Sequence, residues 1–406
     1  MRYLVLLTGG INMVGCSSIP GGMFMQVSVN KGKTITIHDM SDKTGWGSGS
    51  HIFMTRVSNE RIAMTYWIAG DGAYAGTSNM DWPAYSDDNG QKWIYGNPFN
   101  WSTPPPSNKI KFAISKGENF SDFTMGSFFS RAEFTNGTVV LFSTGIEMRH
   151  PDYFTRIVSR DGGKSWEPPD PITIIWPESM TQSLYYLCFE HDALVVDSNT
   201  MYTVAYGGFA PSGKATVYLF ESTDFGKTLT LRSTVAQPSD APWGNNGPCE
   251  PSLMRVSSNS LLCIMRTGIL SGSADHGKAV AESLLMSRSN DGGQTWKHKR
   301  MYINGVMPKL RRLSNGLIVL ATGRPGNSLY ISSDDGRSFG REITITAPHI
   351  KTTGYCDVME VSPDKILVIY DIINSPLQKV WLWEPTIGNG IYGTYYTIDY
   401  RLGGDH

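Results

Sequence analysis

Five aspartates that recur in one octapeptide are the first candidates for acid–base chemistry. The copies begin with serine, carry aspartate third and glycine fifth, and start at Ser86, Ser159, Ser222, Ser289 and Ser332. A carboxylate can serve as a general acid or base. In a tight turn, however, an aspartate bonds the backbone N–H two residues further on, and glycine supplies a positive φ. We therefore predict a structural role for all five carboxylates, at Asp88, Asp161, Asp224, Asp291 and Asp334.

The spacing of these octapeptides, called boxes below, indicates a repeated sheet. Successive boxes begin 43 to 73 residues apart, which is enough for a four-stranded antiparallel blade with variable loops. Each box ends in Trp, Leu or Phe, an apolar side chain that can pack between neighbouring sheets.

A second pattern alternates with the boxes and consists of two apolar strands around a short polar turn. Its copies begin at His51, Ala132, Pro251, Pro308 and Asp357, and we expect them to supply the inner strands of the blades. The segment from Gly390 is expected to form a closing strand pair. Together the patterns predict an all-β, six-bladed β-propeller of four-stranded antiparallel blades over residues 46–406.

Composition excludes some partners. The 406 residues carry a formal net charge of -1 and are 17% charged, so no basic surface for nucleic acid or an anionic membrane is expected. Four cysteines follow residue 16 without a Cys-x-x-Cys spacing or a Cys/His cluster. We expect them to be buried thiols and expect no metal site.

The N-terminus has the pattern of a bacterial lipoprotein signal. One basic residue precedes a short apolar run and small residues directly before Cys16, where cleavage and acylation would occur. The predicted organisation is a signal over 1–16, a lead-in over 17–45 and the propeller. The protein would then be secreted across the inner membrane as a cell-envelope lipoprotein, bound to the membrane only by its lipid. A plain secretory signal and a first buried strand are the alternatives.

The boxes with their hairpins resemble those of the sialidase (neuraminidase) superfamily over most of the chain. In the segment from Cys249, Glu250 and Arg266 match the family's base and one carboxylate-binding arginine at the same separation of 16 residues. Arg324, in the next hairpin, matches a second such arginine. The segment around Tyr355 is similar to the one that carries the family's nucleophile. The resemblance therefore implies one acidic-sugar site made from these four residues.

This set of residue types suits a sugar whose anomeric carbon carries a carboxylate. A neutral phenol is not repelled by that carboxylate as an anionic nucleophile would be. A phenol of pKa about 10 needs a base, and guanidinium groups bind carboxylates through charge-assisted bonds. The resemblance implies these roles for Tyr355, Glu250 and the two arginines, and the mechanism requires neither a metal nor another cofactor.

The first blade departs from the family. Sialidases begin it with an Arg-Ile-Pro motif, whereas this chain has Ser50 and His51 there. The family's general acid follows in a loop, where Asp71 is the candidate and Asp81 the weaker one. His51 is either a substrate-binding replacement for the arginine or an inert strand residue.

Three functions remain open. The first is an exo-acting, retaining glycoside hydrolase that releases a terminal acidic sugar from a glycan. The second is a propeller hydrolase or lyase for a different, uronic-type sugar, with His51 involved. The third is a lipoprotein that binds a glycan without catalysis.

Overall fold

The structure is a computed structural model of the chain, and it describes residues 12–19, 23–39, 50–67, 81–103, 128–143, 155–177, 184–189, 193–209, 213–269, 280–373 and 390–403. These ranges contain 27 β-strands and a 3-10 turn at Pro238–Asp240, and no α-helix. Among the same residues, no helix is long and apolar enough to cross a membrane.

The strands form six sheets that follow one another along the chain. From the centre outward, blade 1 consists of β3 (Ser50–Arg56), β4 (Ile62–Trp67), β5 (Asp81–Ser86) and β6 (Ile94–Tyr95). Blade 2 consists of β7 (Phe128–Glu133), β8 (Val139–Ser143), β9 (Thr155–Ser159) and β10 (Asp170–Pro171). Both are antiparallel throughout.

Blades 4 and 5 repeat this plan, and blade 3 extends it. Blade 4 is formed by β17 (Cys249–Arg255), β18 (Leu261–Arg266), β19 (Ser283–Ser289) and β20 (Lys297–Asn304). Blade 5 is formed by β21 (Val306–Arg312), β22 (Ile318–Gly323), β23 (Asn327–Ser332) and β24 (Ile343–Thr346). Blade 3 contains β14 (Met201–Phe209), β15 (Ala215–Ser222) and β16 (Thr228–Ala236), the inner strands β12 (Leu184–Cys188) and β13 (Ala193–Val195), and β11 (Thr173–Ile175), which runs parallel to β16.

Blade 6 joins the two ends of the chain. It is formed by β25 (Cys356–Ser362), β26 (Lys365–Ile372), β27 (Gly390–Gly403), β2 (Met23–Asp39) and β1 (Asn12–Ile19). The expected closing strand pair from Gly390 is wrong, because this segment is the single strand β27, which pairs with β26 and with β2. The outer neighbour of β27 is β2, near the N-terminus, and not a second strand of the C-terminal segment.

The sheets close into a ring around an axis. The inner strands contact one another in the order β3, β7, β13, β17, β21, β25 and back to β3. Six buried apolar clusters lie between successive blades, one at each interface. Burial of these side chains on both faces of every sheet supplies the main stabilisation. The predicted six-bladed β-propeller is confirmed.

The boxes form turns at the ends of the third strands of blades 1–5. In the box of blade 2, the Ser159 hydroxyl accepts the N–H groups of Asp161 and Gly163, and Asp161 accepts the N–H of Ser165. These bonds agree with the predicted structural role. The predicted bonding of the aspartate to the N–H two residues further on, however, is wrong. Each box aspartate accepts the backbone N–H four residues after it. The N–H two residues after the aspartate already donates to the box serine, as that of Gly163 does to Ser159.

Glycine and the terminal apolar residue behave as predicted. The fifth residue of each box has a positive φ, between 71° and 89°. Trp166, at the end of the second box, is buried in the cluster between blades 1 and 2. The four cysteines after Cys16 are buried thiols, as expected, at Cys188, Cys249, Cys263 and Cys356.

Candidate active site

The four residues singled out by their motifs lie at one end of the propeller. Glu250 is the second residue of β17 and Arg266 is the last of β18. Arg324 directly follows β22, and Tyr355 directly precedes β25. The start of an inner strand and the end of its antiparallel partner lie at the same end of a blade. All four residues, from blades 4, 5 and 6, therefore lie at the same end of the propeller.

The boxes lie at the opposite end. A third strand runs in the same direction as the first, so its following turn lies beside the turn of the inner hairpin. Hydrogen bonds join these two turns, from the N–H of Gly162 to the Gly137 carbonyl at 3.0 Å and from that of Gly292 to Asn259 at 2.9 Å. The box aspartates are thus separated from Glu250 by the length of the inner strands.

Three of the four residues share one hydrogen-bonded centre. The Tyr355 hydroxyl donates to Glu250 Oε1 at 3.1 Å. Arg266 Nη1 donates to the same Oε1 at 2.5 Å and to the Tyr355 oxygen at 3.3 Å. The exposed fractions are 1% for Tyr355, 5% for Glu250 and 6% for Arg266. A carboxylate and a guanidinium therefore both contact the phenol in a setting that excludes most water, where charge interactions are strong.

The second oxygen of Glu250 fixes the carboxylate. Oε2 accepts the N–H of Met307, on the inner strand of the next blade, at 2.8 Å. Both residues lie at irregularities of strand pairing, between Cys249 and Ser252 in β17 and at the equivalent place in β21. Their φ angles are 47° and 45°, a left-handed conformation that costs free energy for residues other than glycine. The fold thus holds Oε1 of Glu250 toward Tyr355.

Arg324 lies over the phenol ring. Its Cζ atom is 5.3 Å from the centroid of Tyr355, within cation–π range. Its Nε and Nη2 atoms donate to the carbonyl oxygen of Thr353 at 2.9 and 2.6 Å. Tyr355 also packs in a buried apolar cluster with Phe53, Val306 and Met307. Its side chain therefore contacts both guanidinium groups and apolar side chains.

In blade 1, the structure describes the backbone of His51 but not its side chain. Ser50 pairs with Trp67 as Cys249 pairs with Arg266, and each pair precedes an equivalent irregularity. His51 therefore has the same register in β3 as Glu250 has in β17. The side chain of His51 is outside the described part of the structure, as are the side chain of Asp81 and the whole of Asp71.

Two buried carboxylates of blade 6 had no assigned role in the sequence patterns. Asp357 is buried, 3.9 Å from Lys309 Nζ, and accepts the N–H of Met54. Asp371, in β26, accepts bonds from Thr352 and Thr353, and burial raises its pKa to about 6. Among the described residues, no group of three or more His, Cys, Asp or Glu side chains could hold a metal ion.

The model of the BNR repeat-like domain family matches residues 130–366, more than half of the chain. The chain belongs to this family. The matched range of this BNR repeat-like protein includes all four residues of the site. No curated protein sequence matches it.

Solved structures share the fold of this BNR repeat-like protein. A protein of unknown function from Dyadobacter fermentans has a TM-score of 0.61 and 18% identity, covering 94% of this chain and 100% of its own. A mutant of the NanB sialidase from Streptococcus pneumoniae has a TM-score of 0.57 and 14% identity, covering 89% and 70%. An alpha-L-arabinanase from Penicillium chrysogenum has a TM-score of 0.55 and 13% identity, covering 90% and 98%. These likenesses show a common propeller architecture.

Close packing between Gly354 and Arg324 gives a test of the site's rigidity. Gly354 has a φ of 80°, and a Cβ atom there would lie 2.8 Å from the backbone nitrogen of Arg324. We expect Gly354→Ala to lower the free energy of unfolding by about 1–3 kcal/mol more than a left-handed alanine alone costs.

The matched control is Gly316→Ala, since Gly316 has a φ of 89° and no atom within 4 Å of such a Cβ. Urea unfolding of both variants measures the difference. Equal destabilisation by the two substitutions would contradict the close packing of Gly354 on Arg324.

Proposed function

We propose that this protein is an exo-acting glycoside hydrolase that releases a terminal acidic sugar from a glycan by a retaining mechanism. The observation that carries the proposal is the shared oxygen of Glu250, which contacts both the Tyr355 hydroxyl and Arg266. A base within hydrogen-bond distance of a phenol, beside a guanidinium, is the arrangement needed to form a tyrosinate nucleophile. The family match and the sialidase and arabinanase neighbours support a glycan as the partner.

In the first step, the Tyr355 oxygen bonds to the anomeric carbon while the bond from that carbon to the aglycone oxygen breaks. The phenol proton passes to Glu250, and the aglycone oxygen takes a proton from the general acid. We assign that acid to Asp71 from the family resemblance. In the second step, water attacks the same carbon while the bond from that carbon to the Tyr355 oxygen breaks. The carboxylate left by the general acid takes a proton from the water, and the Tyr355 oxygen recovers its own from Glu250. Two displacements at one carbon retain its configuration.

The two arginines serve substrate and nucleophile together. Arg266 and Arg324 are positioned to bind a carboxylate on the anomeric carbon through charge-assisted bonds. Their positive charges also stabilise the tyrosinate that forms when Glu250 takes the proton. This double use explains why two buried cations lie against one phenol.

A second candidate function is hydrolysis of, or elimination from, a uronic-type sugar. It is favoured by His51, which has the register of Glu250 and stands where sialidases have their first arginine. His51 would then bind the sugar or transfer a proton. Aryl glycosides of both sugar classes, with absorbance of an unsaturated product as a second signal, distinguish the two reactions. Saturable glycan binding without release of sugar would support the non-catalytic function.

Replacement of the nucleophile tests the leading function. We expect Tyr355→Phe to lower kcat on an aryl sialoside by at least about 10³-fold, because no other oxygen replaces the phenol. Tyr370→Phe is the matched control, since Tyr370 is a buried tyrosine of the same blade whose hydroxyl contacts Thr394. Full turnover by the Tyr355 variant would exclude the proposed mechanism.

The lipid anchor at Cys16 is a separate proposal, supported by the residues that precede it. Cleavage there would leave Cys16 to Ile19 of β1 paired with β2. We expect Cys16→Ser to move the protein from the detergent phase to the aqueous phase in Triton X-114 partitioning of expressing cells. Equal partitioning of the two proteins would show that Cys16 carries no lipid.

A further inference from the structure

A buried carboxylate behind the site holds the segment that precedes Tyr355. Asp371 is 1% exposed and lies across the sheet from this segment, since Cys356 pairs with Tyr370. Its Oδ1 atom accepts the hydroxyls of Thr352 and Thr353, each at 2.8 Å. Its Oδ2 atom accepts the N–H of Thr353 at 2.9 Å. Three donors from two consecutive residues thus converge on one carboxylate.

The same threonines are bound on their other sides. The Thr352 hydroxyl accepts the N–H of Gly354 at 3.1 Å and Asn327 Nδ2 at 3.0 Å. A hydroxyl has two lone pairs, so Thr352 has no acceptor capacity left for a donor at position 371. The hydroxyls therefore need an acceptor at one oxygen of residue 371, and the N–H of Thr353 needs one at the other. A carboxylate provides both acceptors and an amide provides only one.

The segment in turn holds Arg324. The Thr353 carbonyl oxygen accepts both Nε and Nη2 of that guanidinium. The Thr353 carbonyl lies in the same peptide plane as the N–H of Gly354, and this N–H donates to the Thr352 hydroxyl that Asp371 holds. Asp371 therefore sets the direction of this carbonyl. The contacts form a continuous series from Asp371 through Thr353 to Arg324 and the ring of Tyr355.

We infer that Asp371 is a positioning residue, which sets the Arg324 guanidinium over Tyr355 and so determines the affinity for the carboxylate of the substrate. The inference rests on the proposed function for its effect on substrate, but not for its effect on Arg324. A carboxylate that contacts no substrate is costly to bury, and burial raises the pKa of Asp371 to about 6. The presence of a buried carboxylate here, despite that cost, agrees with a need for two acceptor oxygens.

The first test is structural and does not depend on the reaction. We expect a crystal structure of Asp371→Asn to show at least one Arg324–Thr353 bond lost and the guanidinium displaced from the ring of Tyr355. Should this variant not fold, Thr352→Ala takes its place, because it removes one donor to the same carboxylate. A variant structure with both Arg324–Thr353 bonds and the guanidinium unchanged would overturn the inference.

The second test is a double-mutant cycle on KM for an aryl sialoside. Asp371→Asn is expected to raise KM about tenfold with a smaller change in kcat, since the lost contact binds ground and transition states alike. In an Arg324→Ala background, the same substitution should change KM by less than about twofold. Equal factors in both backgrounds would show that Asp371 does not act through Arg324.

The control for this cycle is Asp364→Asn, at the other end of the same hairpin, where Asp364 accepts a bond from Asn315. It is expected to leave KM unchanged in both backgrounds. If the wild-type protein turns over no acidic glycoside, the proposed function fails, and the crystal structure alone decides the role of Asp371.

Discussion

The carboxylate of Glu250 connects the fold to the site. One oxygen accepts a backbone N–H from the next blade, and the other contacts Tyr355 and Arg266. An inner strand of a propeller pairs on one edge only, so N–H groups on its other edge need acceptors from elsewhere. Glu250 satisfies such a group and is oriented by it. Without the closed ring, the Glu250 carboxylate would have no fixed direction toward the phenol.

Hydrogen bonds from the backbone of one inner strand to a side chain of its neighbour recur around the axis. Ser252 accepts the N–H of Leu310 at 3.0 Å, and Asp357 accepts the N–H of Met54 at 2.7 Å. Each bond runs from a side chain of one inner strand to the backbone of the next. These polar groups lie further along the strands than the site and join blades 4 to 5 and 6 to 1. The hydrogen bond that orients Glu250 is therefore of the same type as bonds that join neighbouring blades beside the apolar clusters.

Local chemistry explains what the sequence could predict. The boxes contain their own hydrogen-bond partners within a few residues, so their turns and the blade count were predictable from spacing. Glu250 and Arg266 were predictable as neighbours because they lie at corresponding ends of one hairpin. The role of Asp371 was not, because its contact with Thr352 and Thr353 depends on the register in which β25 pairs with β26 and on the directions of the side chains, which the residue pattern does not state. Closure of blade 6 by β2 likewise depends on pairing between the two ends of the chain.

We propose that Tyr355, activated by Glu250, forms a covalent bond to an acidic sugar. Peptide mass mapping after incubation with a 2,3-difluorosialic acid is the most direct measurement. The C3 fluorine slows both displacements, whereas the C2 fluorine leaves readily as fluoride in the first, so the adduct accumulates. We expect one glycosyl group on the peptide that contains Tyr355 and none in the Tyr355→Phe variant. Turnover of an aryl sialoside with no adduct, or an adduct on another residue, would contradict it.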